Sequence, residues 1–298
     1  MTTFVTHDST AALRHIAALP AADRDAAIRE RIVEPFQGMF ATMRRPGAQG
    51  ADDADLAAAR AWTMVPPDDA GHAYLAALDR LDAAHAPDVA LKALERADAA
   101  FVTAGIDTRL ETVRVGVFPF PPDSPRIAAT RGYTGFGAVA GYIVLMLWPD
   151  DDTLPRLPAA TVHELNHQVR FGHLPFRMDV SVGEYIAAEG VAESFAGALY
   201  GEDMIGPWVT EHAPDSLARS KRIIGQALDI RGFDTVRGYI FGDPGAEQQG
   251  RPAVGLPQFA GYTVGYHLVQ AYLRNTGRSA VEATVTPAAE IIAGADFF

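Results

Sequence analysis

His163-Glu164-Leu165-Asn166-His167 constrains this chain more than any other stretch. Two histidines four residues apart share a face of an α-helix, so in helical form both imidazoles can reach one metal ion. Glu164 then lies about 100° round the helix axis from His163, beside such an ion rather than on it. A carboxylate there can take a proton from a water molecule that the ion activates. The flanking residues predict a helix. Thr153-Leu154-Pro155-Arg156-Leu157-Pro158 reads as its lead-in, since proline is tolerated where its missing N–H has no partner anyway. Asp150-Asp151-Asp152 suits the positive end of the helix dipole. Ala159, Val162, Leu165 and Val169 recur at helical spacing, and Gly172 reads as the stop.

A catalytic zinc usually has three protein ligands and one exchangeable water. Two residues can supply the third ligand. Glu189 follows His167 by 22 positions. That interval accommodates the end of the first helix, a loop containing Gly172, Pro175 and Gly183, and a second helix packed back on the first. Ile186, Val191, Phe195 and Leu199 give the second helix apolar positions. Glu193, one turn beyond Glu189, shares its face and can accept a hydrogen bond from the free ring nitrogen of a liganding histidine. His173 is the other candidate, 10 positions after His163, as in the pattern HExxHxxGxxH. That pattern needs glycine where this chain has Arg170. A helix that continues past Arg170 carries His173 away at about 1.5 Å per residue.

Composition narrows the partners. The formal net charge is −12 and no long basic run is present, so neither nucleic acid nor an anionic membrane is an expected partner. There is no cysteine, which excludes disulfides, thiolate metal sites and thiol catalysis. Residues 1–7 lack a basic start followed by an apolar run, so no signal peptide is expected. The apolar run at residues 142–148 is far too short to span a bilayer. A cytoplasmic location is expected.

Two regions are predicted. Residues 1–105 read as an alanine-rich helical region. Asp8 or Ser9 caps a helix carrying Leu13, Ile16 and Leu19, Pro20 interrupts, and a second pattern runs through Ile28, Ile32, Phe36 and Phe40. A loop at Arg44-Arg45-Pro46-Gly47 and Gly50 follows, then helices over 55–63, 72–84 and 87–102. Residues 106–298 open with a half-buried strand at 112–117 and a proline loop at Pro119, Pro121, Pro122 and Pro125. A glycine-rich turn over 132–141 then feeds a strong strand at 142–148, and the rest is mostly helical. The expected class is α+β: mostly helical, with a small sheet followed by a helical core in which the HExxH helix packs against the helix bearing the third ligand.

HELNH followed by Glu189-Gly190-Val191-Ala192-Glu193 resembles the gluzincin metallopeptidases. The longer pattern is similar to the YjaZ-like family of predicted zinc-dependent proteases. It extends through Gly183-Glu184-Tyr185, Ala198-Leu199-Tyr200-Gly201, Gly206-Pro207-Trp208 and Gly261-Tyr262-Thr263-Val264-Gly265-Tyr266, within residues 110–285. The resemblance implies Zn²⁺ held by His163, His167 and Glu189, with Glu164 as general base and Glu193 supporting a ligand. It also implies that Tyr262 donates to the developing oxyanion, with Tyr266 and His267 as fallbacks. Gluzincin aminopeptidases hold the substrate amine with an acid in a glycine-rich strand segment. Gly135-Phe136-Gly137-Ala138-Val139-Ala140-Gly141 has none, so an endopeptidase acting on peptides or proteins is expected. Its glycines also suit close approach of a peptide backbone. Two other readings stay open: a metal-stabilised peptide-binding or scaffold domain that does not cut, and a zinc hydrolase acting on another bond, such as an ester or a different amide.

Overall fold

Two apolar runs become the inner strands of a four-stranded sheet in the computed structural model: β2 (Thr112–Pro119) and β4 (Tyr142–Leu147), in the order β1-β2-β4-β3. The structure describes residues 2–44, 50–62, 64–68, 70–121, 130, 132–247 and 250–298. Arg45, Pro46, Gly47, Thr63, Pro122 and Pro125, assigned above to loops or a helix end, lie outside the described residues. β1 (Thr3–Thr6) runs parallel to β2 with Thr3 opposite Thr112, and β2 runs parallel to β4 with Val115 opposite Ile143. β3 (Tyr133–Phe136) forms one edge, antiparallel to β4, with Gly135 opposite Leu145. Ile143, Val144, Leu145, Met146 and Leu147 are all buried, as befits an inner strand covered on both faces. β2 is half-buried only at its start. From Val115 onward every residue is buried, so the expected alternation stops there.

Two strands fall where the sequence predicts none. β1 sits at the head of the region read as helical. Thr3-Phe4-Val5-Thr6 has β-branched and aromatic residues, but its partner lies far along the chain and no local pattern announces it. β3 falls inside the stretch read as a turn, where glycines hide the alternation of side chains.

The helices follow the periodicity closely. Asp8 caps α1 (Ser9–Ala18), its carboxylate accepting from the Ala11 N–H at 3.1 Å. α2 (Ala21–Ile28) runs through a π turn (Arg29–Val33) and a 3-10 turn (Glu34–Phe36) into α3 (Gln37–Met43). Ile28, Ile32, Phe36 and Phe40 are all buried, so one apolar stripe spans that succession. α4 (Ala51–Ala61) starts earlier than predicted, while α5 (His72–Ala83) and α6 (Ala86–Thr103) match within a residue. Further along come α7 (Leu157–His173), α8 (Val182–Tyr200), α9 (Pro207–Thr210), α10 (Pro214–Gly225), α11 (Phe233–Glu247), α12 (Ala260–Thr276), α13 (Ala280–Thr284) and α14 (Ala288–Ala295). The chain is therefore mostly helical with a small mixed sheet, an α+β arrangement.

The chain divides into two compact units that interleave in sequence. Met1–Arg96 with Leu110–Glu164 form the first, and Ala97–Arg109 with Leu165–Phe298 the second. The core of the first gathers Ile16, Ile32, Phe36, Phe40, Phe118 and Met146. The core of the second gathers Val182, Ile186, Val264, Leu268, Tyr272 and Ile291. Among the described residues no helix is long and apolar enough to cross a membrane.

Candidate metal centre

The HExxH segment is helical, as its spacing requires. A 3-10 turn (Leu154–Arg156) leads into α7. Asp150 organises that lead-in, its carboxylate accepting from the Thr153 N–H at 2.8 Å. Ala159, Val162, Leu165 and Val169 are buried, so the predicted stripe is the helix's inner side. The helix ends at His173, one residue past the stop expected at Gly172, and the Gly172 carbonyl accepts from Arg109 at 2.9 Å.

α8 begins at a capping box. The Ser181 hydroxyl accepts from the Glu184 N–H at 3.1 Å, and the Glu184 carboxylate accepts from the Ser181 N–H at 2.6 Å. Gly183 therefore lies in the helix, not in the connecting loop as expected from its residue type. Glu189 falls mid-helix and is 4% exposed.

These two helices bring His163, His167 and Glu189 together. Each offers one ligand atom, and the three atoms lie within 4.8 Å of one another. The His167 Nε2 to Glu189 Oε2 distance is 3.3 Å. Ligand atoms on a tetrahedral zinc, with bonds of about 2.1 Å, stand about 3.4 Å apart, so this pair is already at coordination spacing. Two imidazoles and a carboxylate are also the donor set that zinc favours. The residues present fit the ion: His167 and Glu189 are buried, and the partly exposed His163 leaves a route for solvent.

Glu164 packs against the edge strand of its own unit. A Cβ added at Gly135 would stand 2.2 Å from Glu164 Oε1, and one at Gly137 would stand 2.5 Å from the Glu164 carbonyl oxygen. Both distances are below any real contact. The glycines of β3 and the residues after it are thus needed for this carboxylate to lie where it does. The sequence suggested them as room for a substrate backbone; the signal that links them to Glu164 is tertiary.

A second pair of glycines sets the position of Glu189. A Cβ at Gly190 would stand 2.1 Å from the Gly265 carbonyl oxygen, and one at Gly265 would stand 2.2 Å from the Ile186 carbonyl oxygen. α8 and α12 therefore cross backbone to backbone one residue from Glu189. Gly261 does the same toward α11, with its Cβ position 2.5 Å from the Ile240 Cα. The glycines of the Gly-Val-Ala-Glu and Gly-Tyr-Thr-Val-Gly-Tyr stretches are packing residues. Their signal in the sequence is glycine inside helices, which is unfavourable unless close approach needs it.

The other predicted residues are placed as follows. Glu193 is buried, with its Oε2 3.4 Å from the Gly206 N–H. Tyr262, near the start of α12, packs among Trp208, Phe241 and Phe259, ring centroids 5.7–6.2 Å away. Tyr266 donates to Glu202 at 2.6 Å; burial, then that carboxylate, pushes its phenol pKa up. The His267 Nε2 stands 2.8 Å from that of His212, and burial followed by this neighbour lowers the His267 pKa. His173 points elsewhere: its Nε2 meets the Asp107 carbonyl at 2.6 Å, and it is partly exposed. The helix does run on past Arg170, which is why the HExxHxxGxxH geometry fails.

Comparison with known proteins identifies the family. Residues 93–293 match the family described as "Predicted Zn-dependent protease (DUF2268)". The chain is 33% identical over 280 residues to the uncharacterized protein YjfC of Bacillus subtilis (strain 168), covering 92% of each chain. It is 27% identical over 132 residues to the uncharacterized protein YjaZ of the same organism, covering 44% of this chain and 47% of that one. No solved structure matches the chain. With the match spanning well over half its length, the chain belongs to the DUF2268 family of predicted Zn-dependent proteases.

Proposed function

We propose that the protein is a zinc-dependent endopeptidase of the gluzincin type. The observation that carries this reading is the convergence of His163, His167 and Glu189 beside a Glu164 for which Gly135 and Gly137 make room. His163, His167 and Glu189 would hold the ion, which when bound polarises a carbonyl and acidifies a water molecule. Glu164 accepts the water proton and passes it to the leaving nitrogen. Glu193 supports the ligand set, and Tyr262 donates to the developing oxyanion. No acid stands in the segment 135–141 to bind a substrate's free amine, which favours internal peptide bonds. A chain without cysteine suits a reducing compartment, and the proposal extends to a cytoplasmic site of action on peptides or proteins.

A mixed peptide library tests the reading. New termini seen by mass spectrometry with zinc-loaded protein, and none after chelation, are expected. Intact peptides in both would favour a metal-stabilised binding domain. Elemental analysis runs beside it. Stoichiometric zinc in the parent protein and its loss in His163→Ala are expected; a variant that keeps its zinc removes His163 from the ligand set.

Gly135→Ala probes the base from the strand side. The new methyl collides with the far end of a flexible side chain, so the fold tolerates it while Glu164 swings away. Turnover is expected to fall about 100-fold, as misplacement of about 1 Å can cause. Melting temperature and zinc content should stay near the parent's. Unchanged turnover would mean that the packing of Glu164 on β3 has no catalytic role.

A further inference from the structure

A cavity of about 700 Å³ lies in the second unit, between the end of α7 and the starts of α8 and α14. Its size is that of a small-ligand pocket. The walls are largely apolar, with Phe171, Leu174, Phe176, Leu228 and Ile292 among them. Phe171 also stacks on the His167 ring, centroids 5.4 Å apart and planes 7° from parallel, so the cavity adjoins the candidate ligands. None of the three ligands lines it.

Arg170 lines the cavity as well and is only 4% exposed. Its Nη1 donates to the carbonyls of Ala283, Thr284 and Thr286 at 3.0–3.3 Å, where α13 ends. No carboxylate pairs with it among the described residues, and burial alone pulls its pKa down to about 10. At neutral pH that is still a full positive charge, with donors left over. The acids around the cavity do not serve as its counterion. Asp179 pairs with Arg177 at 2.9 Å, Glu184 pairs with Arg231 at 3.2 Å, and Asp229 is exposed to solvent.

A second source of positive potential faces the same space. Pro287, Ala288 and Ala289, at the start of α14, all line the cavity. No side chain caps this helix. The N–H groups of Ala288 and Ala289 have no acceptor within the helix, because first-turn donors never do. A buried guanidinium and an uncapped helix start bordering one cavity make an anion site.

We propose that this cavity binds the carboxylate of an organic acid with an apolar body. Arg170 and the first turn of α14 hold the carboxylate, and Phe171, Leu174 and Ile292 cover the apolar part. Two sources carry this chemistry: the C-terminus of a peptide ending in an apolar residue, and a free fatty acid of short chain. Binding here involves no metal, so it stands or falls separately from the hydrolytic reading.

Titration calorimetry of the full chain decides it. The probes are N-acetyl-leucyl-phenylalanine and octanoate, each run against its neutral counterpart, the peptide amide and octanol. At least one acid is expected to bind, and its neutral counterpart to bind about tenfold weaker or worse. The acid that binds names the source. Arg170→Gln should weaken binding by about tenfold or more. Arg170 also caps α13, so Ala289→Trp provides the control: Ala289 is exposed and lines the cavity, so an indole there is expected to obstruct it. Heat from neither acid at about 10 mM, equal affinity for acid and neutral partner, or unchanged affinity in Ala289→Trp overturns the proposal. Absence of peptide cleavage by the parent protein would sink the peptidase reading and leave this titration unaffected.

Discussion

Glu164→Gln is expected to lower peptide hydrolysis about 1,000-fold, within the range that positioned proton transfer supplies, while zinc content stays at the parent level. Glutamine has nearly the shape of glutamate and fits the same gap against Gly135 and Gly137, so neither the fold nor the ligands should respond. What disappears is the ability to accept a proton. Parallel measurement of turnover on a cleavable peptide, zinc by elemental analysis and melting temperature separates the outcomes. Full activity with retained zinc would refute Glu164 as the base. Loss of zinc together with activity would instead make Glu164 part of the ligand environment.

The second large effect concerns stability. Gly190→Ala should destabilise the protein by about 3 kcal/mol, at the upper end of the usual cost of overpacking. Helix propensity pulls the other way, since alanine is better than glycine in a helix interior by about 1 kcal/mol. The clash wins because the new methyl meets backbone: the Gly265 oxygen at 2.1 Å, the Gly265 carbon at 2.3 Å and the Tyr266 nitrogen at 2.9 Å. None of these atoms can rotate aside, so α8 and α12 must separate and Glu189 must move with its helix. Weaker zinc binding should accompany the lower denaturant midpoint. Gly197→Ala, on the same helix, is the control. Its Cβ would meet only Ile205 side-chain carbons at 3.7 and 3.9 Å, so the propensity gain should prevail and the midpoint hold or rise. Two equally stable variants would refute the backbone crossing.

Elements whose signal is local are legible in the sequence, and those that depend on distant partners are not. Helices α5 and α6 emerged within a residue because an apolar stripe at 3.6-residue spacing is written locally. Strand β4 emerged because a continuous apolar run is also local. β1 did not, since four residues become a strand only by pairing with Thr112 to Val115. β3 did not, since its glycines serve Glu164 and carry no side-chain pattern. Gly172 marks the end of α7 to within a residue, whereas Gly183, a loop residue by type, lies inside α8 because the Ser181 capping box fixes that helix's start. Arg170 registered only as a missing glycine, because nothing local distinguishes a buried arginine from a solvated one.

The amino-acid order by itself determined the candidate pair of imidazole ligands. His163 and His167 face the same way in any α-helix, so four residues of spacing and a helical context were enough to specify them. It also fixed Glu164 beside that pair. Only the tertiary structure decided which candidate third residue stands with the imidazoles, bringing Glu189 to 3.3 Å from His167 and taking His173 to the Asp107 carbonyl. That choice depends on how closely α8 can pack, and therefore on Gly190 against Gly265, a contact between segments whose separation along the chain leaves no periodic trace.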